Sequence, residues 1–183
     1  LVEDLNELSL LESGTLALAI EDADLAGIAR IEAGRFAARA AEQGVSIAVE
    51  SAADRLHAAV DRLRIGQVIA NLLGNALRYT PRGGSIRVRL EAQDGSRLRL
   101  AVEDSGPGIP VDERARVFER YYRVDGARAA AEGGRGLGLA IAAGIVKAHG
   151  GTMHAGSSAA LGGAMIVMEL PVPRLDAAAP APL

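Results

Sequence analysis

The chain has 183 residues, 49% of them hydrophobic and 23% charged, which allows one globular domain with a real core and argues against wholesale disorder. Its formal net charge is −3, so no basic excess points to nucleic acid as the main partner, and the absence of cysteine excludes disulfides, thiolate metal sites and cysteine nucleophiles. No unbroken apolar run reaches the roughly 18 residues of a membrane-spanning helix, and no signal-peptide pattern opens the chain.

Residues 1–13 place Leu1, Leu5, Leu8 and Leu11 on one helical stripe, with Gly14 as C-cap. The chain starts inside this pattern and not at a methionine, so we read it as a piece of a longer protein. Leu16–Ile20 is a strand candidate. Asp24 can cap a helix from Leu25 to about Gln43, ended by Gly44. Val45–Glu50 alternates like a strand, and Leu56–Val60 suggests another. Asp61 caps a helix whose apolar face is assigned to Leu63, Val68, Ile69, Leu72, Leu73, Ala76 and Leu77. It ends near Tyr79, because Thr80-Pro81 disfavours continuation. Ser85–Gln93 and the strand with Leu98, Leu100 and Val102 flank Asp94-Gly95, a strong hairpin signal. A loop at SGPGIP, a short helix Val111–Tyr122 and an Arg/Ala/Gly-rich segment follow. Next come an apolar helix Gly136–His149 and strands Thr152–Gly156 and Ala164–Leu170 around Gly162-Gly163. Residues 172–183 are Pro/Ala-rich and expected to be disordered. With 36 alanines and only 3% aromatics, the core must be aliphatic. The mixture of elements predicts an α+β fold, a two-layer α/β sandwich with a mixed sheet covered on one face by helices.

Four segments carry chemistry. Asn71 and Asn75 lie four residues apart, on one helical face. Asn is a poor helix former, and its carbonyl oxygen is a hard neutral ligand suited to Mg²⁺ already held by phosphates and water; two buried structural amides are the alternative. Asp104-Ser105-Gly106-Pro107-Gly108 sets an acid at a strand end before two glycines. There backbone can approach a ligand closely, and the carboxylate can accept a hydrogen bond from an exocyclic amine such as that of adenine; an ordinary acidic turn is the alternative. Gly134-Arg135-Gly136-Leu137-Gly138-Leu139 opens a helix, whose free N–H groups suit phosphate. It is neither a Walker A loop nor a dinucleotide fingerprint. Phe118-Glu119-Arg120-Tyr121-Tyr122-Arg123 reads either as a helix end packing its aromatics or as part of a site.

In this order the four segments resemble the N, G1, F and G2 boxes of the catalytic, ATP-binding domain of sensor histidine kinases, a branch of the GHKL ATPase superfamily. The resemblance runs from residue 1 to about 171 and implies the Bergerat ATPase fold. Residues 1–14 look like the end of the helical hairpin that dimerises such kinases and carries the phosphoacceptor, and 15–171 like the catalytic domain. The resemblance makes Asn75 the main Mg²⁺ ligand, assisted by Asn71, and sets Arg78 near the phosphates. Tyr79 would lie against adenine, a contact of about 0.5–1.5 kcal/mol. Asp104 would bind the adenine amino group, with Gly106, Gly108 and Ile109 shaping the pocket. Arg123 would reach the phosphates, and 125–134 would be the ATP lid. Gly134, Gly136 and Gly138, together with Arg135, Leu137 and Leu139, would form its hinge and phosphate-facing end. Arg135 departs from the family's frequent Thr or Ser.

Hydrolysing members of the superfamily, such as type II topoisomerases and MutL, place a glutamate four residues before the metal-binding Asn. Here that position is Asn71, whose amide cannot act as a general base, so phosphoryl transfer to a protein side chain is favoured over hydrolysis. None of His57, His149 and His154 has the adjacent acid of the family's phosphoacceptor, so that histidine is expected upstream of Leu1. The implied activity is transfer of the ATP γ-phosphoryl group to this histidine, for relay to a response-regulator receiver domain. Implied cofactors are ATP and Mg²⁺. Implied partners are the receiver domain and the chain's own dimerisation helices in a homodimer. The implied setting is the cytoplasmic part of a bacterial sensor anchored in the inner membrane through the missing N-terminal part. A nucleotide-gated interaction module, an anti-sigma-type serine kinase and a GHKL ATPase are the alternatives.

Overall fold

The computed structural model describes residues 7–11, 13–93, 96–124 and 136–171. Residues 7–11 are helical. Glu21–Asp24 (β1) pairs antiparallel with His57–Val60 (β3) in a two-stranded ribbon. Ser46–Ser51 (β2), Ser85–Gln93 (β4), Arg97–Asp104 (β5), Thr152–Ser157 (β6) and Ala164–Pro171 (β7) form a five-stranded sheet of order β2-β4-β5-β7-β6. Its β2-β4 pairing is parallel and the other three are antiparallel. The helices are Leu25–Gln43 (α1), Arg62–Tyr79 (α2) and Gly138–Ala148 (α3), with α2 in contact with both others. No helix among the described residues is long and apolar enough to cross a membrane.

Strand alternation builds the core. Register aligns Val88, Val102 and Ile166 in one row and Leu90, Leu100 and Met168 in the next, all buried. Ile65, Val68, Ile69, Leu72, Leu73 and Leu77 of α2 join the same cluster, none more than 1% exposed. On the other face of the sheet, Arg87 pairs with Glu50 at 3.2 Å, Arg99 with Glu91 at 2.9 Å and Arg97 with Glu169 at 3.3 Å. These partly exposed pairs add little stability each.

Helix starts are set by aspartates. Asp24 Oδ1 accepts from Ala26 N and Leu56 N, both at 3.1 Å. Asp61 Oδ1 accepts from Arg64 N at 3.1 Å and Oδ2 from Ala19 N at 3.0 Å. The Asp61 N–H donates to His149 Nε2 at 3.0 Å, which leaves Nδ1 as the donor to Ile145 O at 2.8 Å. His149 therefore staples the end of α3 to the start of α2. Burial works to raise the Asp61 carboxyl, but the backbone donors Ala19 and Arg64 outweigh it and hold it below the ordinary 3.8. A lowered acid stabilises the fold above its unfolded value and loses that contribution as pH falls through its folded value. Asp61→Ala is expected to cost about 1–2 kcal/mol in urea unfolding at neutral pH, and progressively less as pH falls below the ordinary 3.8 and through the folded value. An unchanged midpoint at pH 7 would contradict the capping role.

Four expectations need correction. Residues 16–20 form no strand, because Ala19 N bonds the Asp61 carboxylate and the ribbon strand starts at Glu21. Leu63 is 84% exposed, not part of the apolar face of α2, because that face begins at Ile65. Val111–Tyr122 is not one helix but two 3₁₀ turns, Val111–Glu113 and Arg116–Phe118. The break falls where Arg114 turns its side chain to Ile109 O and Ser157 Oγ. Helix α3 starts at Gly138, because Gly136 takes a left-handed φ of +69°. The Asp94-Gly95 turn, residues 1–6 and the 172–183 tail lie outside the described residues.

Candidate functional site

The motif segments converge at one end of the helical layer. Asn71, on α2, donates from Nδ2 to Gly138 O at 3.1 Å, joining α2 to the start of α3. With its nitrogen so used, Asn71 has no donor on Oδ1 among the described residues. Asn75 lies one turn further along the same helix and is likewise partly buried. Arg78 and Tyr79 occupy the last turn, Tyr79 37% exposed.

The loop after β5 reaches the end of α2. A Cβ at Gly106 would sit 2.7 Å from Tyr79 O, so only glycine permits this approach. Asp104 is buried, and its Oδ1 accepts from Gly106 N at 2.8 Å and Ala164 N at 3.1 Å. No donor from the described residues lies on Oδ2. Burial pushes the Asp104 carboxyl up, and the Gly106 and Ala164 donors only partly oppose it. Gly108 turns the chain with φ +79°, and Ile109 packs partly buried on the core.

The aromatic segment closes the site from the α3 side. Tyr121 N–H donates to Gly136 O at 3.0 Å, and Tyr121 itself takes a left-handed φ of 59°. A Cβ at Gly136 would lie 2.9 Å from the Tyr121 backbone. Phe118 packs on the core, while Arg116 stacks over the Tyr122 ring at 4.2 Å. Arg123 follows, partly buried. Leu137 is buried and Leu139 partly so, and both pack against the core, which anchors the start of α3. Gly134, Arg135 and the 125–134 segment lie outside the described residues.

Sequence reasoning missed Gly163. A Cβ there would lie 2.3 Å from Asp104 O and 2.5 Å from Asp104 Oδ1. The Gly162-Gly163 pair was legible as a turn, but only Gly162 has the positive φ; the demand on Gly163 is steric and comes from a strand 59 residues earlier in the chain.

The site can hold a nucleotide by its own chemistry. It offers a carboxylate oxygen for an amine, a glycine-lined wall, and helix α3 opening toward Asn71. Among the described residues no three His, Cys, Asp or Glu converge on a metal position. The amide oxygens of Asn71 and Asn75 are hard neutral donors, of a kind that suits Mg²⁺ only together with oxygens of a bound ligand and water.

Fold and site define an α/β-sandwich domain of ATPase type. The model of the family described as histidine kinase-, DNA gyrase B-, and HSP90-like ATPase matches residues 60–174, and the chain belongs to this family. It is 41% identical to the signal transduction histidine-protein kinase BaeS of Escherichia coli over 174 residues, 95% of this chain and 37% of that protein. It thus spans little more than a third of that relative's length. Its fold matches the crystal structure of full-length ShkA in complex with AMPPNP at a TM-score of 0.81 and 33% identity, covering 100% of this chain and 36% of that one. It also matches histidine kinase ThkA in complex with the response regulator protein TrrA at a TM-score of 0.73 and 25% identity, covering 92% of this chain and 49% of that one.

Proposed function

We propose that the chain is the ATP-binding catalytic domain of a two-component sensor histidine kinase. It would pass the γ-phosphoryl group of ATP to a histidine on an upstream helix, for relay to a response-regulator aspartate. The observation that carries this reading is Asp104. One oxygen is pinned by two backbone donors and the other has no donor among the described residues, at the strand end that leads into the glycine loop. The kinase names of the relatives, the AMPPNP complex of ShkA and the receiver complex of ThkA support it.

In this reading Asp104 Oδ2 accepts from the adenine amino group, Gly106, Gly108 and Ile109 wall the base, and Tyr79 lies against it. Asn75 and Asn71 supply amide oxygens to Mg²⁺, which neutralises phosphate charge when bound. Arg78, Arg123 and the residues of 134–139 serve the phosphates. Asn71 has no basic group with which to activate water, so the domain orients ATP for a protein acceptor and does not hydrolyse it. Residues 1–14 continue the dimerisation helix of a homodimer, and the domain works in the cytoplasm below a membrane anchor.

Calorimetric titration with ATP, with and without Mg²⁺, tests the reading. The wild-type chain should bind MgATP more tightly than free ATP, and Asn75→Ala should remove that difference. A variant that keeps the Mg²⁺ dependence rules out Asn75 as a ligand. Steady phosphate release by the chain alone would overturn the argument from Asn71.

A further inference from the structure

The residue before Asp104 belongs to a separate polar system. Glu103 points to the other face of β5 and is only 3% exposed. Its Oε2 accepts from Ser158 Oγ at 2.6 Å, and Arg89 Nη1 stands 3.5 Å from Oε1. Ser158 is 2% exposed, and its hydroxyl oxygen also accepts from Leu161 N at 3.0 Å. Its own N–H donates to Gly163 O at 2.9 Å, and its carbonyl accepts from Gly162 N at 2.8 Å. The turn joining β6 to β7 is thus closed by two backbone bonds of Ser158 and by its hydroxyl, which is anchored to one buried carboxylate.

The far end of that turn holds Asp104. Gly163 N–H donates to Asp104 O at 3.1 Å, and Ala164 N–H donates to Asp104 Oδ1 at 3.1 Å. Bare backbone meets the carboxylate here, since a Cβ at Gly163 would overlap it. Two donors on one oxygen fix the plane of the carboxyl group, and Ala164 is one of the two. If the turn slackens, that donor is lost and the carboxylate can rotate.

We infer that Glu103 and Ser158 are positioning residues that, through the turn ending at Gly163, aim the free oxygen of Asp104 and so set selectivity for adenine over guanine nucleotides. The inference rests on the nucleotide reading above. Adenine presents an amino donor at its six-position, where guanine presents a carbonyl. A fixed carboxylate oxygen attracts the first and repels the second, and a rotating one discriminates less.

The test uses the 183-residue chain with MgATP and MgGTP as probes. Ser158→Ala removes the hydroxyl. It is expected to weaken ATP binding about tenfold, the scale of one hydrogen bond to a charged group, and to lower the ATP-to-GTP affinity ratio. Ser158→Thr keeps the hydroxyl and should restore both. Glu103→Gln keeps the side-chain shape with a weaker acceptor, and should shift the ratio in the same direction even if the alanine variant folds poorly. Amide hydrogen exchange without nucleotide is the independent readout. Gly163 and Ala164 should exchange faster in Ser158→Ala, while β4 amides stay unchanged. A lower melting temperature with an unchanged nucleotide ratio and unchanged exchange at Gly163 and Ala164 makes Ser158 a fold residue only and overturns the inference. If the wild-type chain binds neither nucleotide, the ATP reading falls. Faster exchange confined to Gly163 and Ala164 then still supports the positioning of Asp104, and unchanged exchange overturns that too.

Discussion

Replacing Asp104 with asparagine is expected to weaken ATP binding about ten- to a hundredfold, without loss of stability in the nucleotide-free chain. The asparagine oxygen can still accept from Gly106 N and Ala164 N, so the loop keeps its two anchors. The other atom becomes an NH₂ donor, which faces the donor of adenine and cannot pair with it. Burial raises the Asp104 carboxyl above its ordinary 3.8. An acid raised in the folded state stabilises the fold in its protonated form, and that contribution is lost as pH rises through the folded value. At neutral pH the charged carboxylate therefore costs stability, and the neutral amide relieves that cost. Calorimetry with ATP and a melting curve at pH 7 check both halves. Wild-type affinity would remove Asp104 from the base pocket, and a large drop in melting temperature would show that its charge holds the loop.

The largest expected effect on stability is from Leu73→Ala. Leu73 is fully buried on α2, the helix that contacts both α1 and α3. Truncation removes apolar contact and leaves a cavity that close-packed neighbours fill only in part, at about 2–5 kcal/mol. Urea unfolding should show a lower midpoint with the slope preserved. Asn71 sits on the same helix two residues earlier, so nucleotide affinity should also fall at temperatures where the variant is partly unfolded. A loss below about 1 kcal/mol would mean that the helical layer repacks around the gap.

The elements legible in the sequence were those whose signals are local. Asp24 and Asp61 marked helix starts, and Gly44 marked an end, because caps act on their own first or last turn. The alternation of Ile86, Val88 and Leu90 with arginines predicted β4 because the sheet has one dry face. Failures came where distant partners decide. Ala19 was drawn from a strand by a carboxylate 42 residues away. The 111–122 segment yielded its helical propensity to contacts at Ile109, Ser157 and Gly136. The site shows the same division. Asn71 and Asn75, Asp104 and the glycines stood out as unusual choices in their local setting. Gly163 read only as half of a turn pair and Ser158 gave no signal, because the contacts each makes with Asp104 or Glu103 lie across the sheet.

The scarcity of aromatic side chains has a practical consequence. The chain has no tryptophan and three tyrosines, and all three border the candidate cleft: Tyr79 ends α2, and Tyr121 and Tyr122 lead from the backbone clasp at Gly136. Its tyrosine absorption and emission thus arise from one corner of the molecule. Spectral change on adding a ligand will report local rearrangement there, with almost no background from the aliphatic interior.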